Sequence, residues 1–181
     1  MGARVGQALG LAFTLLVSWA PAWGAEIVDL VPLIKKDKLV LSLHMTQAFV
    51  ADIERAIASG LPVQFRYIVQ LKKVRAAWFN KKVATRRVMT TVTYDNLTKR
   101  YKLFREVDGE IDATAVVSDP EEMRRFMTTL ESMELFDTSL LEPNGEYYLR
   151  VKGVMKDRNL FLFIPWDLGS AWKKAYFTYL P

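Results

Sequence analysis

The chain carries one histidine, His44, and no cysteine, and those two counts bound its chemistry at once. A single imidazole excludes a multi-histidine metal site, and any nucleophilic triad would have to be built on His44. Ser42 stands two residues earlier, on the same side of a strand. Without thiols there is no cysteine nucleophile, no Cys-ligated zinc and no iron–sulfur cluster. The sequence has no Gly-x-Ser-x-Gly elbow, P-loop, dinucleotide glycine fingerprint or His-Glu-x-x-His helix. Acids gather at Glu106, Asp108, Glu110 and Asp112 around Gly109. Alternate carboxylates can offer oxygen to Ca²⁺, but these lack EF-hand spacing, and a solvated hairpin tip is the simpler reading. An outward-facing surface residue is likewise the simpler reading of His44. The expectation is a protein with no catalytic residues, no metal and no cofactor.

Charge segregation is the stronger signal. From Arg55 to Tyr94 there is no acidic residue, while Lys72, Lys73, Arg75, Lys81, Lys82, Arg86 and Arg87 crowd around Trp78 and Phe79. Lysine and arginine on sheet edges and outer faces protect against aggregation, which is the plainer account of such a run. The sharper account is an anion-recognising surface with an aromatic anchor. A basic, aromatic stripe ordinarily suggests nucleic acid. The start of the chain argues against that partner.

Arg4 is the only charge before Glu26. An apolar stretch from Ala8 to Trp19 follows, then Pro21 and the small-residue pattern Ala22-Trp23-Gly24. This order predicts a signal peptide over residues 1–24, cleaved before Ala25, and hence a periplasmic or otherwise extracytoplasmic protein. The apolar stretch is shorter than the ~20 residues of a spanning helix. The uncharged run from Val5 to Ala25 is longer, so a retained N-terminal membrane anchor is the alternative.

Residues 25–181 are expected to form a single β-rich domain. Two alternating runs, Ile27–Ile34 and Leu39–Met45, flank Lys35-Lys36-Asp37-Lys38 and predict an antiparallel pair. Thr46 reads as an N-cap, and Phe49, Ile53, Ala56 and Ile57 as the stripe of a helix of about three to four turns ended by Gly60. Val63, Phe65, Tyr67, Val69 and Leu71 then alternate, answered by Val83–Tyr94, which makes a long hairpin around Trp78 and Phe79. Asp108-Gly109 carries a type I′ turn signature between Tyr101–Val107 and Ile111–Val117. Asp119 and Pro120 open a second helix with stripe Met123, Phe126, Met127 and Leu130. Glu146–Met155 with Leu160–Trp166 reads as a further hairpin, and Trp172–Tyr179 as a closing strand. The fold class is therefore β-rich α+β, an antiparallel β-sandwich-like domain with two covering helices.

Several of these segments together resemble a family. Ala48-Phe49, Ala56-Ile57-Ala58-Ser59-Gly60-Leu61-Pro62-Val63, the tip Trp78-Phe79, Tyr94 to Tyr101, and Gly169-Ser170-Ala171-Trp172 with Phe177 resemble the DUF4390 family of exported bacterial proteins. The resemblance implies an envelope protein of unknown activity, encoded in some genomes beside a nitrogen-regulation type sensor kinase. It brings no catalytic residues. At the tip, two alanines separate Arg75 from Trp78, which departs from the family's commoner Arg-Trp-Tyr-Trp pattern.

The functional expectation is an exported, non-catalytic accessory or binding protein of the bacterial envelope. It would recognise an envelope protein partner, such as the extracytoplasmic region of a sensor kinase, through the basic hairpin Lys72–Arg87. Trp78 and Phe79 would anchor, and the lysines and arginines would steer. One alternative is binding of an anionic lipid or polysaccharide, with peripheral contact to an anionic membrane surface. The other is an envelope hydrolase using His44 or the acid cluster. Nucleic acid is not an expected partner.

Overall fold

The computed structural model describes residues 24–75, 80–156 and 169–180. Residues 1–23 of the expected signal peptide, Trp78 and Phe79 at the hairpin tip, and the expected strand Leu160–Trp166 lie outside the described residues.

Nine strands and two helices follow in the order β1 (Glu26–Lys35), β2 (Lys38–Thr46), α1 (Ala51–Ala58), β3 (Val63–Lys73), β4 (Lys81–Asp95), β5 (Arg100–Val107), β6 (Glu110–Val117), α2 (Pro120–Thr128), β7 (Thr129–Asp137), β8 (Glu146–Lys156) and β9 (Lys173–Thr178) among the described residues. They form two antiparallel sheets, one ordered β1-β2-β7 and the other β6-β5-β4-β3-β8-β9. The β-rich, sandwich-like architecture expected from the alternating runs is the one observed. Leu39, Leu41, Leu43 and Met45 of β2 are buried, as are Val63, Phe65, Tyr67, Val69 and Leu71 of β3, so the inner faces of both sheets share one core. Truncating a side chain such as Phe65, which is fully buried, would cost about 3–5 kcal/mol through lost transfer energy and the cavity left behind.

Local chemistry explains most boundaries. Asp108 and Gly109 both have positive φ, 52° and 96°, as a tight β5–β6 turn of this hand requires. The carboxylate of Asp119 accepts from the Glu121 amide at 3.0 Å, and Pro120 occupies the first turn of α2. Gly60, at φ 78°, ends α1.

Three expectations need correction. Thr46 does not cap α1: it is the last residue of β2, and its hydroxyl donates to the Glu26 carbonyl at 3.4 Å. The helix begins at Ala51 and runs 8 residues, about two turns, with Phe49 packed on the core before it starts. The stripe of α2 does not continue to Leu130, because the chain passes directly from helix to strand β7 at Thr129. That abrupt change is stabilised from the sheet. The Met127 carbonyl accepts from the Tyr67 hydroxyl at 2.7 Å and from the Thr90 hydroxyl at 3.1 Å. Arg105 donates to the Phe126 and Thr129 carbonyls at 3.3 and 3.4 Å and lies 4.6 Å from the Phe126 ring centre. Side chains of β3, β4 and β5 thus satisfy carbonyls that a helix end leaves open.

Both helices and the smaller sheet pack on the inner side of the larger sheet. On its outer face Lys82, Arg87, Lys174 and Tyr176 are exposed, while Tyr148 is buried between its neighbours.

Candidate functional site

Strand register fixes what that outer face displays, because directly paired residues share a side of the sheet. One row runs Lys82, Lys72, Tyr148, Tyr176 across β4, β3, β8 and β9. The next runs Gln70, Arg150, Lys174. A third runs Arg87, Ile68, Lys152, and a fourth Met89, Arg66, Val154. Rows lie about 6.6–6.8 Å apart along the strands, and neighbouring strands about 4.8 Å apart. The result is a cationic lattice interleaved with aromatic and aliphatic side chains.

Among the described residues, no ion pair involves Arg66, Lys72, Lys82, Arg87, Arg150, Lys152 or Lys174. Acids on the outer face of these four strands stand only at the ends, Glu146 opening β8 and Asp95 closing β4. Asp95 is itself paired with Lys102 at 3.0 Å. Two of these cations, Arg150 and Lys174, contact uncharged groups instead. Arg150 donates through Nε to Gln70 at 2.8 Å and lies 4.3 Å from the Trp172 ring centre. The Lys174 ammonium is 5.7 Å from the centre of Tyr148, whose ring packs 5.1 Å from that of Tyr176. Such cation–π contacts orient the side chain and hold it over a ring without neutralising it. Trp172 and Tyr176 remain 37% and 65% exposed.

The hairpin residues singled out by sequence divide between the two sides of the sheet. Lys72, Lys82 and Arg87 belong to the outer lattice. Arg86 pairs with buried Val69 and therefore points inward, where Nε donates to the Leu135 carbonyl at 2.9 Å and Nη1 meets Asp108 at 2.8 Å. Burial opposes ionisation of Asp108, but the Arg86 guanidinium and the Arg87 amide outweigh it and hold its pKa below the usual carboxylate value. Lys73 forms an ion pair with Glu142 and, chiefly by hydrogen bonding, keeps that carboxyl below its ordinary pKa. Lys81 stands opposite Lys73 on that same side. Arg75 is exposed next to the tip, its amide donating to Asn80 Oδ1 at 3.2 Å. A register shift between Leu71 and Lys72 produces part of this division, since it inserts Val83 as an extra residue in β4.

Sequence reasoning missed Arg150, Lys152, Trp172, Lys174 and Tyr176 as members of the same surface. Their alternation was visible, but their adjacency to the hairpin depends on β8 pairing with β3.

The hydrolase candidates are arranged differently. His44 Nδ1 shares a 2.9 Å hydrogen bond with the Thr129 hydroxyl, and the Ser42 hydroxyl accepts from the Ser132 amide at 3.0 Å. Both side chains are therefore tied to β7 rather than to each other. An open hollow of about 380 Å³ beside His44 is lined also by Glu121, Arg124, Arg125, Thr128, Thr129 and Glu131. Asp108 of the acid cluster is taken up by Arg86 and the Arg87 amide. Among the described residues no three His, Cys, Asp or Glu side chains are placed to hold a metal ion.

No curated protein and no solved structure matches the chain. The segments that carried the family resemblance lie almost wholly within a match over residues 22–175, and by that match the chain belongs to the family described as "Domain of unknown function (DUF4390)".

Proposed function

We propose that this chain is an exported, non-catalytic binding protein of the bacterial envelope, which recognises an anionic partner with the outer face of strands β4, β3, β8 and β9 of its six-stranded sheet. The observation that carries the reading is the lattice of Arg66, Lys72, Lys82, Arg87, Arg150, Lys152 and Lys174, free of ion pairs among the described residues. Like charges set opposite one another, as Lys72 and Lys82 are, repel. An incoming anion removes that repulsion and gains from every cation it meets. Exposed Trp172 and Tyr176 add apolar contact area of the kind that anchors interfaces. Export rests on Arg4, the apolar stretch Ala8–Trp19 and the small residues before Ala25. The absence of catalysis rests on His44 and Ser42 being engaged with β7. The basic hairpin remains part of this surface through Lys72, Lys82 and Arg87.

The test is retention of the purified protein on isolated bacterial envelopes, wild type against Arg87→Glu/Lys152→Glu/Lys174→Glu. Salt should release the wild type, and the variant should bind at least tenfold more weakly, because exposed charge pairs are screened over about 8–10 Å. Equal retention of the two proteins at every salt concentration would remove the outer face from consideration.

A further inference from the structure

We infer that the anionic partner is the headgroup layer of a phospholipid membrane, against which the outer face of strands β4, β3, β8 and β9 lies flat. The inference rests on the anion-binding reading above and adds the identity of the surface.

Two independent observations point to it. The first is where the chain enters the fold. The apolar stretch Ala8–Trp19 ends six residues before strand β1 begins at Glu26, so only Ala20–Ala25 separate the two. Ala25 is already buried at 6% exposure. A Cβ on Gly24 would lie 3.9 Å from the Gly169 carbonyl, and a Cβ on Gly169 would lie 3.6 Å from Cε of Lys152. Gly169 also bridges to Val154, an outer-face residue of β8. The apolar run therefore joins the domain at the rim of the cationic lattice, beside Lys152. While the stretch Ala8–Trp19 sits in a bilayer, before cleavage or as an anchor, the domain is held close to the headgroups with this rim nearest them.

The second is the chemistry of the face. Arg87, Lys152 and Lys174 project from separate strands of one sheet face, which suits many headgroups presented in a plane. Trp172 and Tyr176 stand at the β9 side of the same face, where an amphipathic ring can sit at headgroup level. Juxtamembrane cations of this kind each strengthen binding to anionic lipid, and the effect falls off within a Debye length.

The test is sedimentation of the purified protein with vesicles of phosphatidylcholine alone or of equal parts phosphatidylcholine and phosphatidylglycerol. The reading is the ratio of the two affinities, which cancels any insertion of the apolar run. For the wild type this ratio should exceed ten, and for Arg87→Glu/Lys152→Glu/Lys174→Glu it should fall by roughly a hundredfold. Lys35→Glu/Lys36→Glu/Arg125→Glu makes the same change in net charge away from the face and should leave the ratio near the wild-type value. Circular dichroism and thermal unfolding check that both variants are folded. A wild-type ratio of one, or equal losses in the two variants, overturns the inference. If vesicles fail but an acidic envelope protein is bound by the wild type and lost by the face variant, the membrane inference falls and the anion-binding reading stands. If neither vesicles nor any envelope component distinguishes the two, both fall.

Discussion

Lys72 and Lys82 stand directly opposite each other across the β3–β4 hairpin, with both side chains on the outer face of the sheet. Directly opposed like charges lower stability, and opposed unlike charges raise it by roughly 0.2–1 kcal/mol. Lys82→Glu should therefore stabilise the protein by about 0.5–1 kcal/mol, or about 1–4 °C in Tm. The same change should weaken anion binding. Urea unfolding and vesicle binding on one sample measure both, and a variant that is less stable than wild type would count against the repulsion argued here.

The carbonyl of Met127 offers a sharper stability test. It accepts from both Tyr67 and Thr90 inside the core. Tyr67→Phe and Thr90→Val should each cost about 1 kcal/mol, because one donor remains. Together they should cost about 3 kcal/mol or more, since the carbonyl is then buried without a partner. Simple additivity in denaturant unfolding of the two single variants and the double variant would mean that the carbonyl finds another donor.

Strand pattern made much of this architecture legible, and the exceptions have physical causes. Alternation in Val63–Leu71 and the Asp108-Gly109 turn pointed correctly to β3 and to the β5–β6 hairpin. Strand β7 was hidden because register shifts against β2 and the positive φ of Ser132 break its period-two pattern. Leu130 then falls at helical spacing from Met127 and mimics one more turn of α2. The site was half legible. Local sequence shows that Lys72–Arg87 lacks acids, but the side on which each cation points depends on the extra residue Val83 in β4. Arg150 and Lys174 join the surface only because β8 lies between β3 and β9, a long-range pairing that no local window contains.

Asp95 gives a pH prediction. Its carboxylate accepts from Lys102 and from the Thr98 and Leu97 amides, which lower its pKa from 3.8 to about 2. The folded state thus binds fewer protons than the unfolded state between these values, so stability rises with pH there. The contribution should be complete above the ordinary carboxylate pKa of 3.8 and vanish as pH falls through about 2. Asp95→Asn should flatten the dependence of the urea midpoint across this window. An unchanged slope would show that other carboxyls control acid unfolding.

His44 contributes one hydrogen bond across β2 and β7. His44→Gln should change stability by less than about 1 kcal/mol and leave envelope binding unaltered. Abolition of the protein's cellular effect by this substitution, with folding and binding intact, would restore the catalytic alternative.

The most direct test of the outer face as the recognition surface is lysine footprinting by mass spectrometry. The protein would be acetylated in intact envelopes and, separately, after purification, and each lysine's reactivity compared. The account predicts that Lys72, Lys82, Lys152 and Lys174 lose reactivity in the envelope, while Lys35, Lys36 and Lys99, which lie off this face, keep theirs. Equal reactivity of the four face lysines in both settings would contradict it.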